Sequence, residues 1–321
     1  EGMKAAVYDQ AGPPDVLTYR DVADPIVGPD DVLIAVEAIS IEGGDLINRR
    51  STPPPGRPWI VGYAASGRVV GAGANVRDRK VGDRVTAFDM QGSHAELWAV
   101  PAIRTWLLPS GVDAASAAAL PISFGTAHHC LFARGGLLRN QTVLVQAAAG
   151  GVGLAAVQLA AQAGATVIAV SSGESRLQRI SSLGADHVVD RSMGNVVEAV
   201  RQNTGGKGVD LVIDPVGVTL SASLTLLAPE GRLVFVGNAG GGSLTIDLWP
   251  AMQSNQTLLG VFMGPLLERP QVRATVDEML QMLDRREIRV MIEKTFPLSE
   301  AAAAHDFAEN AKPLGRVIME P

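Results

Sequence analysis

Between Asn140 and Gly173 the chain carries no charged residue, and no other feature constrains its fold as strongly. About 20 apolar residues can cross a bilayer, so a membrane span is the first reading to weigh. The internal order of the window argues against it. Val143-Leu144-Val145 is a short β-rich run, and Ala148-Ala149-Gly150-Gly151-Val152-Gly153 is a turn of small residues. Leu154, Val157, Gln158 and Ala161 then recur at helical spacing, Gly164 ends the helix, and Val167-Ile168-Ala169-Val170 is a second strand. A strand buried on both faces of a parallel sheet reads as one apolar run, and the helix over it is nearly as apolar. The window predicts a strand–helix–strand unit inside a globular core.

Composition agrees. A chain of 321 residues, 47% hydrophobic and 19% charged, has room for one or two domains with ample core. A net charge of -6 offers nucleic acid no electrostatic footprint. With Cys130 as its one cysteine, the chain forms no internal disulfide and no zinc site built mainly from thiolates. Met3 runs straight into Lys4 and a strand-like AAVYD without a secretory pattern, so a cytoplasmic protein with no membrane partner is expected.

Roughly the first 120 residues read as β-rich. AAVYD, VLTYRDV, DVLIAVEAIS, SGRVVGAG, DRVTAF and AELWAV are short strands punctuated by Gly, Pro and Asp. From Ala114 the texture turns to Ala-rich helix and then to strand–helix alternation. Helices are predicted over 174–183, 196–202, 222–227 and 272–285, and strands over 187–190, 209–214, 232–237 and 257–262. Such alternation marks a doubly wound α/β sheet. STPPPGRP, residues 51–58, reads as a stiff surface loop.

Ala148-x-Gly150-x-x-Gly153 is the dinucleotide fingerprint with alanine in place of its first glycine. Small residues let the backbone approach a pyrophosphate, and the following helix N-terminus supplies unpaired N–H groups and a positive dipole end. Ala149, Gly150, Gly151, Val152 and Gly153 are therefore the candidate phosphate contacts. An NAD enzyme places Asp or Glu at the tip of the next strand for the ribose 2′-hydroxyl. Here the tip reads Ser171-Ser172-Gly173 and Arg176 follows, a hydroxyl pair and a guanidinium suited to a 2′-phosphate. Glu174 is the counter-indication, unless it serves the helix dipole. The residues favour NADPH over NADH.

VLVQAAAGGVGLAAVQLA (143–160), GADHVVD (184–190), GGKGVDLVIDPVG (205–217) and GRLVFVG (231–237) resemble the zinc-independent quinone oxidoreductases of the medium-chain dehydrogenase/reductase superfamily. SIEGGDLINR (40–49), VGYAASG (61–67), VGDRV (81–85) and AAALPISFGTAHH (117–129) follow that family's order, so the likeness spans nearly the whole chain. The resemblance implies a GroES-like β-rich catalytic domain, residues 1–122 with 264–321, and a Rossmann doubly wound parallel-sheet domain, residues 123–263. It also implies a cofactor in the cleft between them and a homodimer paired through the strand around Leu258-Leu259-Gly260-Val261-Phe262. Zinc members of the superfamily place Cys, His-Glu and a further ligand where this chain has Glu42, Tyr63-Ala64 and Pro121-Ile122-Ser123-Phe124-Gly125. Their four-cysteine lobe is missing as well, and adjacent His128 and His129 point about 100° apart on a helix, so no metal is expected.

Without a Lewis acid the implied chemistry is hydride delivery from NADPH to an acceptor already electrophilic, a quinone or an α,β-unsaturated carbonyl. Several relatives carry Asn at Glu42 and Tyr at Ile47, and this chain has neither. Carried over by position, the catalytic candidates are Glu42, Asp45, Tyr63 and Thr126. Glu42 is read as a proton relay if desolvation raises its pKa, or, the favoured alternative, as a solvated loop carboxylate. Tyr63 either donates to a substrate carbonyl or packs at a rim, and Asp45 braces its loop. Thr126 matches a cofactor-positioning Thr. The resemblance adds Gly237, Asn238, Phe262 and Met263 at the nicotinamide end, Arg191 at the adenine or the 2′-phosphate, and Arg316 at the phosphates. His94, His187 and His305 look scattered, as surface or packing residues. The rival readings are an enoyl-thioester reductase of the same fold, which a basic groove of Arg49, Arg50 and Arg57 would favour, and a non-catalytic NADPH-binding redox sensor.

Overall fold

The uncharged window folds as its grammar predicts. Strand Thr142–Val145 leads through the small-residue turn into helix Gly151–Gln162 and returns as strand Thr166–Ser171, parallel to the first with Thr166 opposite Thr142. These strands sit in a six-stranded sheet with Thr257–Gly260, Leu227–Phe235, Val209–Asp214 and His187–Asp190, and every pairing is parallel. Taken by position in the chain, the spatial order is third, second, first, fourth, fifth, sixth. The order reverses between Thr142–Val145 and Val209–Asp214, and the crevice at such a reversal is where an α/β sheet takes its ligand. Leu144, Ile168 and Val212 have no exposed surface, which explains the absence of charge along the central strands.

The structure, a computed structural model, describes residues 2–321. The chain divides into two compact units, the residues up to Ile122 together with Gly264–Pro321, and Ser123–Met263. The first unit is β-rich. A seven-stranded sheet is built on Asp31–Ser40, which pairs antiparallel with Ala64–Ala72, Leu97–Pro101 and Arg316–Glu320. A smaller sheet joins Met3–Tyr8 to Thr18–Val22 and Trp59–Ile60. The C-terminal strand therefore belongs to the first unit by hydrogen bonding. Helix Pro270–Asp284 joins the same unit through Trp106, which is fully buried, donates to the Arg273 carbonyl at 3.2 Å and stacks under the Arg273 guanidinium.

Several elements escaped the sequence reading. Helix Gly43–Ser51 lies in a stretch of polar and glycine residues, and helix Ala301–Asn310 buries Ala301, Ala304 and His305. The sixth strand ends at Gly260, two residues short of the predicted Phe262. Helix Ala114–His128 runs through Pro121, which lacks the N–H that would bond the Ala117 carbonyl. Thr86 Oγ1 donates to that carbonyl instead, at 2.6 Å, so the buried acceptor is satisfied from the neighbouring sheet. No helix among the described residues is long and apolar enough to cross a membrane.

Candidate functional site

In the unit Ser123–Met263 the candidate residues collect at the C-terminal ends of the parallel strands. Gly150 caps helix Gly151–Gln162 with φ −77° and no side-chain hydrogen bond, and the first intrahelical bond runs from Leu154 N to Gly150 O. The N–H groups of Gly151, Val152 and Gly153 are thus the ones a helix start leaves without a helical acceptor. No acidic residue lies in that first turn to neutralise the dipole. The two glycines of the turn differ. A Cβ on Gly153 would press on the Ala147 carbonyl and the Ala148 backbone at 2.6 Å, so that glycine serves helix–strand packing. A Cβ on Gly150 would meet nothing closer than 3.6 Å, which leaves the space above it open to a bound group. A diphosphate fits this donor set.

At the tip of the next strand Ser171 is buried, while Ser172 and Arg176 are half-buried. Glu174 stands in the first turn of helix Glu174–Ser182, where its charge meets the dipole. Sequence reasoning missed a second carboxylate. Asp190, at the end of the third strand, pairs in register with Ser171 and accepts from Ser192 N at 3.0 Å and Ser192 Oγ at 2.6 Å. Those bonds, and a weaker one from Gly173, hold its carboxyl below the usual range. Arg191 beside it is exposed. Asp214, ending the fourth strand, was missed too. Its carboxylate accepts from Val216 N, Gly217 N, Thr219 Oγ1 and Ser223 Oγ, pinning the turn that packs on Asn238. Asn238 donates to the Gly242 carbonyl at 2.8 Å, and its buried Oδ1 has no partner. Gly237 is exposed beside it, Thr126 is buried in its helix, Met263 is buried, and Phe262 is 71% exposed.

In the other unit, Glu42, Asp45, Tyr63 and Arg316 form one cluster around the start of helix Gly43–Ser51. The favoured reading of Glu42 as a solvated carboxylate is corrected, since it is buried. Its Oε2 pairs with Arg316 Nη2 at 2.9 Å and its Oε1 accepts from Ser40 Oγ at 2.9 Å. Arg316 Nη2 also donates to the Ile41 carbonyl, while its buried Nε has no partner. The strand carrying Arg316 runs antiparallel to the one ending at Ser40, a pairing no local sequence signal announces. Burial pushes the Glu42 carboxyl up, opposed by Arg316 and Ser40. Asp45 has no exposed surface, accepts the Glu42 N–H at 2.8 Å and leaves its Oδ1 without a partner. Burial first, and then the nearby Glu42 charge, raise its carboxyl well above the usual range. By accepting the Glu42 N–H, Asp45 closes the helix start.

Tyr63 lies half-buried across Gly44, whose missing Cβ makes room for the ring, and meets Phe88 edge-on at 6.0 Å. Its hydroxyl oxygen accepts from Asn48 Nδ2 at 2.9 Å. Burial raises the phenol above its ordinary pKa, so it is a neutral donor at pH 7. Ile47, where relatives carry Tyr, is 46% exposed.

Two further expectations are corrected. His94 and His305 are not scattered, because their Nε2 atoms meet at 2.9 Å inside the first unit with no exposed surface. The basic groove does not form as a group either. Arg49 is buried against Glu309 and His305, and Arg50 pairs with the same Glu309, which leaves only Arg57 of the three on the exposed loop without a described ion pair. Glu42 is committed to Arg316 and Ser40, and no group of three or more His, Cys, Asp or Glu side chains gathers among the described residues.

Residues 28–110 match the alcohol dehydrogenase GroES-like domain, and residues 151–285 match the domain described as zinc-binding dehydrogenase. A quinone oxidoreductase of Pseudomonas aeruginosa is 33% identical over 97% of this chain and 97% of its own. A 2-haloacrylate reductase of Burkholderia sp. is 31% identical over 99% of both chains. Among solved structures, the Escherichia coli quinone oxidoreductase complexed with NADPH superposes with a TM-score of 0.92 at 27% identity, over 99% of this chain and 100% of that one.

Proposed function

Because the chain belongs to the quinone oxidoreductase-like group of the medium-chain dehydrogenase/reductase superfamily, we propose that it is an NADPH-dependent oxidoreductase acting without zinc on quinones or α,β-unsaturated carbonyls. One observation carries this reading: an open, glycine-lined helix N-terminus at the reversal of a parallel sheet, with no acidic residue in its first turn. That arrangement takes a dinucleotide diphosphate on the N–H groups of Gly151, Val152 and Gly153. Ser171, Ser172 and Arg176 would hold the 2′-phosphate, Arg191 the adenine or that same phosphate, and Thr126, Gly237, Asn238, Phe262 and Met263 the nicotinamide end. Arg316, held by Glu42 through Nη2 and with Nε unpaired, serves the phosphates. The engagement of Glu42 by Arg316 and Ser40 supports the metal-free reading.

NADPH, when bound, supplies the hydride. The remaining work falls to the protein. An electrophilic acceptor gains negative charge on its oxygen as the hydride arrives, and a neutral phenol such as Tyr63 stabilises that charge by donating to it. Water completes the reduction with a proton. Glu42, Arg316 and Asp45 hold the helix start that carries Gly44 beneath Tyr63. Relatives named for a quinone and for 2-haloacrylate, an activated alkene, support this acceptor class. The thioester reading loses the support of a basic groove, since Arg49 and Arg50 pair with Glu309.

Anaerobic NADPH oxidation with product analysis, run against matched quinones and enones and repeated with NADH, tests the proposal. We expect turnover of at least one class and a preference for NADPH. Tight NADPH binding with no acceptor reduced would transfer the weight to a non-catalytic role.

A further inference from the structure

Asn48 lies within the SIEGGDLINR stretch, but the sequence reading gave it no role. It stands one turn after Asp45 on helix Gly43–Ser51, half-buried, and its Nδ2 donates to the Tyr63 hydroxyl oxygen at 2.9 Å. Among the described residues this is the one hydrogen bond of that hydroxyl, and in it the oxygen accepts. A phenol has a single hydrogen to give. With the oxygen receiving from Asn48, that hydrogen is directed elsewhere, and the ring cannot swing to redirect it. Gly44 lies under the ring without room for a Cβ, and Phe88 meets the ring edge-on at 6.0 Å.

We propose that Asn48 is a positioning residue that fixes the polarity of Tyr63, making its hydroxyl a hydrogen-bond donor to the carbonyl oxygen of the ligand. The inference rests on the acceptor class proposed above and deepens it. Ligands that present a hydrogen-bond-accepting oxygen are selected, and an alkene without one is not, because a site built to donate loses affinity when its donor is left unpaired. The sequence context fits the assignment. Helix Gly43–Ser51 is pinned at its start by Glu42, Asp45 and Arg316 and near its end by Arg49, so Asn48 projects from a fixed segment.

The decisive variant is Asn48→Asp, which keeps the shape and reverses the bond. A carboxylate accepts the phenolic hydrogen and draws it away from the ligand. With 1,4-benzoquinone and cyclohex-2-enone as probes, kcat/KM is expected to fall about tenfold while the Kd for NADPH is unchanged. Tyr63→Phe should lose as much, and the double variant no more, since both remove the same donor. A second arm needs no turnover. The protein is labelled with 3-fluorotyrosine, its resonance at position 63 assigned by loss in Tyr63→Phe, and cyclohexanone is added to the NADP⁺ complex. The wild-type resonance should shift, Asn48→Asp should abolish the shift, and the same variant should raise the phenol pKa by placing a negative charge beside the phenolate.

The two arms separate the possible failures. If neither quinone nor enone turns over but cyclohexanone shifts the Tyr63 resonance in the wild type alone, the hydride-transfer reading falls and the polarity of Tyr63 stands. A resonance unmoved by cyclohexanone, an unchanged phenol pKa in Asn48→Asp, or strictly additive losses in the double variant would overturn the role assigned to Asn48.

Discussion

Gly150 and Gly153 look equivalent in the fingerprint but have different jobs. Gly153 has no room for a side chain, so Gly153→Ala is expected to cost about 1–3 kcal/mol of stability as the helix shifts off its strand. Gly150 has ordinary extended-side dihedrals, φ −77° and ψ 171°, and open space above its Cα. Gly150→Ala should leave the melting temperature within about 1 kcal/mol of stability of the wild type. It should nevertheless weaken NADPH binding about tenfold or more, because the added methyl occupies the place of the diphosphate. Thermal melts with and without NADPH, plus fluorescence titration, separate the two effects. Equal loss of melting temperature in both variants would remove the argument that Gly150 is reserved for a ligand.

Two elements are held by bonds that run far across the sequence. Helix Ala114–His128 tolerates Pro121 because Thr86 satisfies the Ala117 carbonyl. Thr86→Val keeps the shape and leaves a buried acceptor empty, so chemical denaturation should show a loss of about 1–3 kcal/mol. No loss would mean the carbonyl finds another donor. Helices Gly43–Ser51 and Ala301–Asn310 are joined by a polar chain with one direction. Arg49 can only donate, so His305 Nδ1 accepts from it at 3.2 Å and His305 carries its hydrogen on Nε2. His305 then donates to His94 Nε2, which leaves the His94 hydrogen on Nδ1, 3.1 Å from Ser93 Oγ. Both rings stay neutral. Burial lowers His94 to about 3, while burial, His94 and Arg49 hold His305 well below its ordinary value. Glu309, which pairs with Arg49, is the carboxylate packed against the pair from the Ala301–Asn310 helix. The sign follows. Their contribution is complete above the unfolded value of about 6.5, and it is lost as pH falls below that, because the unfolded chain takes protons the folded chain refuses. The raised carboxyls of Glu42 and Asp45 pull the opposite way, so the clean readout is the imidazoles themselves. Long-range ¹H–¹⁵N spectra should show two rings that do not titrate between pH 8 and 5, one of each tautomer. Titration of all five histidines near their ordinary value would refute the buried chain.

For the molecule as a whole, one edge of the six-stranded sheet is Thr257–Gly260, with Phe262 largely exposed beyond it. An uncovered edge strand presents unpaired N–H and C=O groups. We expect a second copy of the chain to pair there, and sedimentation equilibrium at micromolar concentration should report twice the 33.5 kDa of one chain. A monomer would count against that edge as an interface. At this scale the sequence by itself determined a great deal. The uncharged window, the period of its helix and the small-residue turn specified the parallel sheet and its anion-ready helix start, because backbone geometry and burial act locally and leave a local pattern. The GroES-like domain was legible only through the resemblance of the motifs in residues 40–129 to a known family. Tertiary structure alone decided the chemistry of the other unit. Whether Glu42 is solvated depended on Arg316, a residue 274 positions away that a strand pairing delivers to it. His94 and His305 met across 211 positions, and Asn48 gained its meaning only when Tyr63 was laid over Gly44. Burial and partner are properties of the folded neighbourhood. They set the charge of a carboxyl and the direction of a hydrogen bond, and no spacing along the chain encodes them.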